Sequence, residues 1–192
     1  MPPSIRTIVA GVATVNESDP ILAPAIALAE ATGAQLHLVH AFELPDPFLS
    51  AYARDGILGP EFGAGYRDEL RNRLVERVAA VGTTARIHCH AVTGSVSDGL
   101  CTQAEKLAAD VLVIGATRSG KLLRTILGST AERVVRGAKV PVMVLRKPLA
   151  MPVSRVLLTT DMSEFSANVH DRAVDLIEGL FPLPPRRSEH CS

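Results

Sequence analysis

Along the first 146 residues, short apolar runs alternate with longer stretches of helical spacing. Ile5 to Ala13 (IRTIVAGVA) is almost continuously apolar and β-branched, the pattern of a strand buried on both faces. Asp19 to Thr32 follows with Ile21, Ala25, Leu28 and Ala29 at helical spacing, and Gly33 serves as a stop. Gln35 to Phe42 (QLHLVHAF) predicts a second strand, with Leu36, Leu38 and His40 on one face and His37, Val39 and Ala41 on the other. Prolines and glycines between Glu43 and Gly65 predict a long loop, with a short helix near Phe48 to Arg54. Tyr66 to Val81 is amphipathic, carrying Tyr66, Leu70, Leu74 and Val78 on its apolar side and a solvated face of Arg and Glu opposite.

Thr84 to Val92 predicts a third strand. Ser95-Val-Ser-Asp98 has capping-box spacing before a helix with Leu100, Ala104, Leu107 and Ala108 as its stripe. Asp110 to Gly115 (DVLVIG) is a fourth strand. After a glycine-containing loop, Ser129-Thr-Ala-Glu132 repeats the capping-box spacing at the start of a short helix that Gly137 ends, and Pro141 to Arg146 (PVMVLR) is a fifth strand. Strands alternating with helices predict a doubly wound α/β fold, with a parallel five-stranded sheet covered on both faces. Ligands of such sheets sit outside the carboxyl ends of the strands, where strand order reverses.

Residues 148–154 read as a linker, after which the pattern restarts. Arg155 to Asp161 predicts a buried strand, and Ser163 to Leu180 a helix with Val169, Ala173, Leu176, Ile177 and Leu180 on one side. A shift of 148 positions lays Ala13 on Asp161, Ser18 on Ser166, Ala25 on Ala173, Leu28 on Leu176 and Glu30 on Glu178, a weak internal repeat. The expected organisation is one domain at 1–147, the linker, an incomplete second copy at 155–181 and a mobile tail at 182–192.

Composition narrows the function classes. Lys+Arg and Asp+Glu both number 20 in the 192 residues, so the net charge is zero and the footprint of a nucleic-acid binder is missing. No stretch of about 18 apolar residues is present, which excludes a membrane-spanning helix. The N-terminus lacks the apolar segment of a signal peptide. Cys89, Cys101 and Cys191 form neither a disulfide framework nor a zinc spacing, so buried thiols in a reducing, cytoplasmic setting are expected. His37, His40, His88 and His90 lie on two strands; His88 and His90 share a face, His37 and His40 do not, and a structural role is expected of them.

Candidate chemistry concentrates between Gly115 and Ser129 (GATRSGKLLRTILGS), a loop between a buried strand and a helix start. Loops so placed offer backbone N–H groups, and the following helix adds the positive end of its dipole. Ser129 also reads simply as a helix cap. Gly115-x4-Gly120-Lys121 has P-loop spacing, but Leu122 stands where the magnesium-binding Ser or Thr belongs, and the loop follows the fourth strand rather than the first. No Gly-x-Ser-x-Gly elbow is present.

At these residues the chain resembles the universal stress protein family, whose loop has the form G-x2-G-x9-G-S/T after the fourth strand. Gly115 matches the first glycine, Gly128-Ser129 the last pair, and the stretch from Ile126 to Arg146 looks like family sequence throughout. The likeness covers residues 5–146 and resumes at RVLLTTDMSEFSANV. It implies ATP or another adenine nucleotide as ligand, with magnesium as an optional companion ion. Gly115, Arg118, Gly128, Ser129 and Thr130 are then expected at the phosphates, and Ala13 and Ala41 beside base and ribose. Two positions depart from the pattern. Ala13 stands where the nucleotide-binding branch has Asp, and Arg118 replaces the second glycine, either crowding the phosphates or lending them a guanidinium. The resemblance also implies that the last strand is a sheet edge and that a homodimer forms through Val140, Pro141, Val142, Met143, Val144, Leu145 and Arg146. The strand at 156–160 is an alternative pairing segment. The expected activity is binding and dimerisation in a stress response without catalysis. A nucleotide-free interaction module and a weak ATPase are the alternatives.

Overall fold

The computed structural model describes residues 5–16, 19–43, 63–116, 127–147, 149, 153, 155–159 and 163–181. Five parallel strands, β1 (Thr7–Gly11), β2 (Gln35–Phe42), β3 (Ile87–Thr93), β4 (Val111–Gly115) and β5 (Val142–Leu145), form one sheet in the order β3-β2-β1-β4-β5. The order reverses between β1 and β4. Helices α1 (Leu22–Thr32) and α2 (Ala64–Val81) cover one face, and α3 (Val96–Lys106) and α4 (Ser129–Gly137) the other. The doubly wound α/β architecture expected from the alternation is the one observed.

Strand alternation sorts the core into two layers. Ile8, Ala10, Leu36, Leu38, Val111 and Val113 point to the α1–α2 face, whereas Val9, Val39, Leu112 and Ile114 point to the α3–α4 face. The stripe read on α1 is fully buried, and Gly33 ends that helix at φ 70°, a left-handed conformation that glycine adopts without strain. On α2, Leu70 and Leu74 are buried while Tyr66 stays 42% exposed, its ring edge-on to Phe42 at 5.3 Å. The opposite side of α2 is solvated and carries the Asp68–Arg71 and Glu69–Arg73 pairs.

Several local expectations are corrected. Strands β1 and β3 are shorter than their apolar runs, ending at Gly11 and starting at Ile87. Neither capping box forms. The Ser95 hydroxyl bonds the Ser97 hydroxyl at 3.1 Å, and Ser129 is the first helical residue of α4, with Gly128 as its N-cap. Helix α3 stops at Lys106, so Ala108 lies beyond it at φ 48° and is exposed. Cys89 and Cys101 are half-buried rather than buried; burial pushes the Cys89 thiol up to about 11 and raises Cys101 as well. The short helix expected near Phe48 to Arg54 lies outside the described residues.

The restart after the linker is half realised. Helix α5 (Glu164–Leu180) forms where expected and lies against α1. Leu176, Ile177, Leu180 and Phe181 join the core of the α1–α2 face, together with Met143 and Leu145 of β5 and Leu149 and Val153 of the linker. The strand does not form: residues 155–159 make no ladder, and Val156 and Leu157 are 49% and 86% exposed. An apolar run becomes a strand only when it pairs with a strand edge, and residues 155–159 pair with none of the five strands.

Candidate functional site

At the carboxyl ends of β1 and β4, where the strand order reverses, the sheet opens into a cleft of about 320 Å³. Of the residues singled out from the sequence, Ala13, Ala41, Gly115, Gly128, Ser129 and Thr130 all line it, though they come from four separate places in the chain. Arg118 lies outside the described residues, as do Gly120, Lys121 and Leu122 of the P-loop-like spacing. The floor is apolar, with Leu100, Ile114 and Val134 among its residues. Small residues keep it open: a Cβ on Gly11 would stand 2.9 Å from Leu100 Cδ1.

One rim is the start of α4. Gly128 is extended (φ −64°, ψ 150°), its N–H donates to Ala116 O at 2.9 Å, and its carbonyl accepts the Glu132 N–H at 2.9 Å. The Gly128 amide therefore closes the loop and is spent. The donors left facing outward are those of the first helical turn, at Ser129, Thr130 and Ala131, which have no carbonyl within the helix to bond. Ser129 and Thr130 are exposed. Three amides and a helix dipole directed into a cleft make a ready place for an anion.

The other rim is the β1–α1 connection, and here the structure adds a residue that the sequence reading had treated only as a helix start. Asp19 is 6% exposed, and its carboxylate accepts three backbone N–H groups: Ala13 at 2.7 Å and Thr14 at 3.2 Å on Oδ2, Ile21 at 2.8 Å on Oδ1. The loop is held from behind by α2, where Arg77 donates to Thr14 O at 2.8 Å and Arg73 to Asn16 Oδ1 at 2.9 Å. His40 Nδ1 meets Val12 O at 2.9 Å. Asp19 precedes a proline and a helix, so its capping chemistry was visible in the sequence; that it reaches back to Ala13 was not.

The sequence model of the Universal stress protein family matches residues 4–146, which takes in the whole sheet and both rims of the cleft. The chain belongs to the universal stress protein family. Universal stress protein G of Salmonella typhimurium is 35% identical over 130 residues, 67% of this chain and 89% of that one. A universal stress protein of Methanocaldococcus jannaschii is 41% identical over 63 residues, 33% of this chain and 37% of that protein's length. The crystal structure of the universal stress protein UspA from Lactobacillus plantarum shares the fold with a TM-score of 0.52 at 24% identity, covering 75% of this chain and 99% of that one.

In this universal stress protein domain, β5 is the sheet edge that the resemblance implied, paired among the described residues with β4 alone. Pro141 O and Leu145 O accept from Leu112 N and Ala116 N, so the amides of Val142 and Val144, of opposite parity, point outward from the edge. Among the described residues no group of three or more His, Cys, Asp or Glu is set to hold a metal ion, and no helix is long and apolar enough to cross a membrane.

Proposed function

We propose that the cleft binds an adenine nucleotide and that this domain acts in a stress response by binding and self-association rather than by turnover. The observation that carries the reading is the first turn of α4. Its outward amides stand beside Gly115 and Ala116 on one side and face an apolar floor large enough for a nucleoside on the other. A phosphate resting on Ser129 and Thr130 leaves the base to lie between Ala13 and Ala41. The only carboxylate among the described lining residues, Asp19, is committed to three backbone amides, so it is a poor candidate for a general base.

Titration calorimetry with ATP and AMP tests this directly, with Gly128→Val as the control. The Gly128 backbone is extended and suits valine without strain, so the fold is expected to survive while the isopropyl group fills the cleft at the phosphate position. Affinity is expected to fall at least tenfold, equivalent to about 1.4 kcal/mol. Equal binding by parent and variant would remove the cleft from consideration, and no binding by the parent would favour the nucleotide-free reading. That second reading has one observation in its favour: the Ala13 amide at the base position is already occupied by Asp19.

The partner proposed for the domain is a second copy, joined antiparallel along β5 and its flanks, Val140 to Arg146. Because the Val144 amide faces away from β4, Val144→Pro removes an intermolecular donor without touching the β4 ladder. Sedimentation equilibrium is expected to show a dimer for the parent and a monomer for the variant; a dimer in both places the interface elsewhere.

A further inference from the structure

Away from the cleft, the sheet carries a group of imidazoles that nothing in nucleotide binding uses. His37 on β2 lies opposite His88 on β3 in the register, with His90 one strand pleat further on, all on the α3–α4 side. The His37 ring is stacked against both, with centroids 4.9 Å from His88 and 5.2 Å from His90, and His37 Nδ1 meets His90 Nε2 at 3.0 Å. His37 is 8% exposed, and His88 is exposed at the sheet margin. Two facing ring nitrogens at hydrogen-bond distance require one donor and one acceptor, so the pair holds a single proton between them.

Among the described residues, the surroundings offer no compensation for a second proton. Beside His37, β1 presents Val9. From α3, Gln103 lines the groove that His88 and His90 share; of the charged residues on that helix, Glu105 is engaged by Lys139, and neither Asp98 nor Lys106 is among the groups that act on His37 or His90. Asp110 at the foot of β4 is turned to the amides of Arg6 and Thr7. From the opposite face, Arg71 reaches the same groove and acts on Cys89. Burial first, and the neighbouring imidazoles second, hold His37 and His90 below the ordinary histidine value.

We propose that the His37–His88–His90 stack is an acid-sensitive fastening of the β3 edge. With one shared proton the stack is neutral enough to pack and ties β3 to β2. Each further proton adds a cation within stacking distance of another and, among the described residues, without a counter-charge. The element free to yield is β3, which has a ladder on one side only. Because folding favours the neutral rings, their contribution to stability is complete above the unfolded value of about 6.5 and is lost as pH falls from there toward the lower folded values. The effect reaches the cleft side of the sheet, since Val92 of β3 and Ala41 of β2 both abut Gly99 in the first turn of α3.

Amide hydrogen exchange of the full chain at about pH 7.5 and about pH 5.5, corrected for intrinsic rates, reads this out, with β4 as the internal reference. Protection in β3 is expected to fall about tenfold more than in β4. In the His88→Gln/His90→Gln variant the difference between the strands is expected to vanish. Equal falls in β3 and β4 of the parent protein, or an unchanged difference in the variant, would overturn the proposal. Should the variant not fold, imidazole NMR titration of the parent decides: His37 and His90 titrating at or above about 6.5 refutes the fastening, and lower values with loss of β3 protection over the same range support it.

Discussion

Asp19→Ala is expected to lower the stability of this domain by about 3 kcal/mol, more than any other single change at the cleft. The carboxylate accepts from Ala13, Thr14 and Ile21 in a site that is 6% exposed, and all three bonds end on an ionised group. Charge-assisted bonds of this kind contribute about 1.5–3 kcal/mol each in isolation, but the exposed Ala13 amide recovers water once the carboxylate is gone, which keeps the sum well below the arithmetic total. For a chain of this length the loss corresponds to a fall in melting temperature of about 6–12 °C. Asp19→Asn, which keeps one acceptor oxygen, is expected to fall between the two. Urea denaturation of the three proteins checks the ranking. A loss below about 0.5 kcal/mol in the alanine variant, the level of an ordinary surface substitution, would mean that the rim is not fastened in this way.

Leu180→Ala is expected to cost a similar amount, about 3 kcal/mol, for a different reason. Leu180 is 1% exposed and closes the end of α5 against the α1–α2 core beside Phe181. Truncation removes the transfer energy of the lost methyl groups and leaves a cavity. A ceiling applies here that does not apply at Leu74, which is fully buried within α2 of the domain itself. When the cost reaches what docking contributes, α5 leaves α1 and the loss stops growing. A Leu180→Asp variant is therefore expected to lose only slightly more than Leu180→Ala, and to expose the side of α1 that α5 lies against. Chemical denaturation with a hydrophobic dye measures both quantities. A Leu180→Ala protein as stable as the parent would show that the helix contributes nothing in this position.

How much of this was legible depended on whether the governing contact is local. Strand β2 was readable to the residue because its mostly apolar run begins soon after Gly33, which marks where α1 must stop. The separate faces of His37 and His40 followed from the alternation of side chains along any strand. The cleft was readable through its small residues: Gly115, Gly128 and their neighbours follow a strand and open a helix, and that order needs no tertiary knowledge. What failed was set by partners distant in the chain. Ser129 has the spacing of a cap, but the bond between Gly128 N and Ala116 O decides where α4 begins, and it moves the hydroxyl one position into the helix. Asp19 looked like the start of α1 because nothing in the sequence tells that Ala13 and Thr14 turn back to it. Residues 155–159 have the composition of β1 but pair with no strand of the sheet, and composition cannot supply a pairing partner.

All five strands run the same way, so the sheet has a head and a tail, and the cleft is at the head. Joining two such sheets edge to edge across β5 in antiparallel fashion requires a two-fold axis perpendicular to the sheet. The heads then point to opposite poles of a ten-stranded slab. In the proposed dimer the two clefts would open at opposite poles, too far round for one small molecule to span both, and both copies of α5 would lie on one flat side.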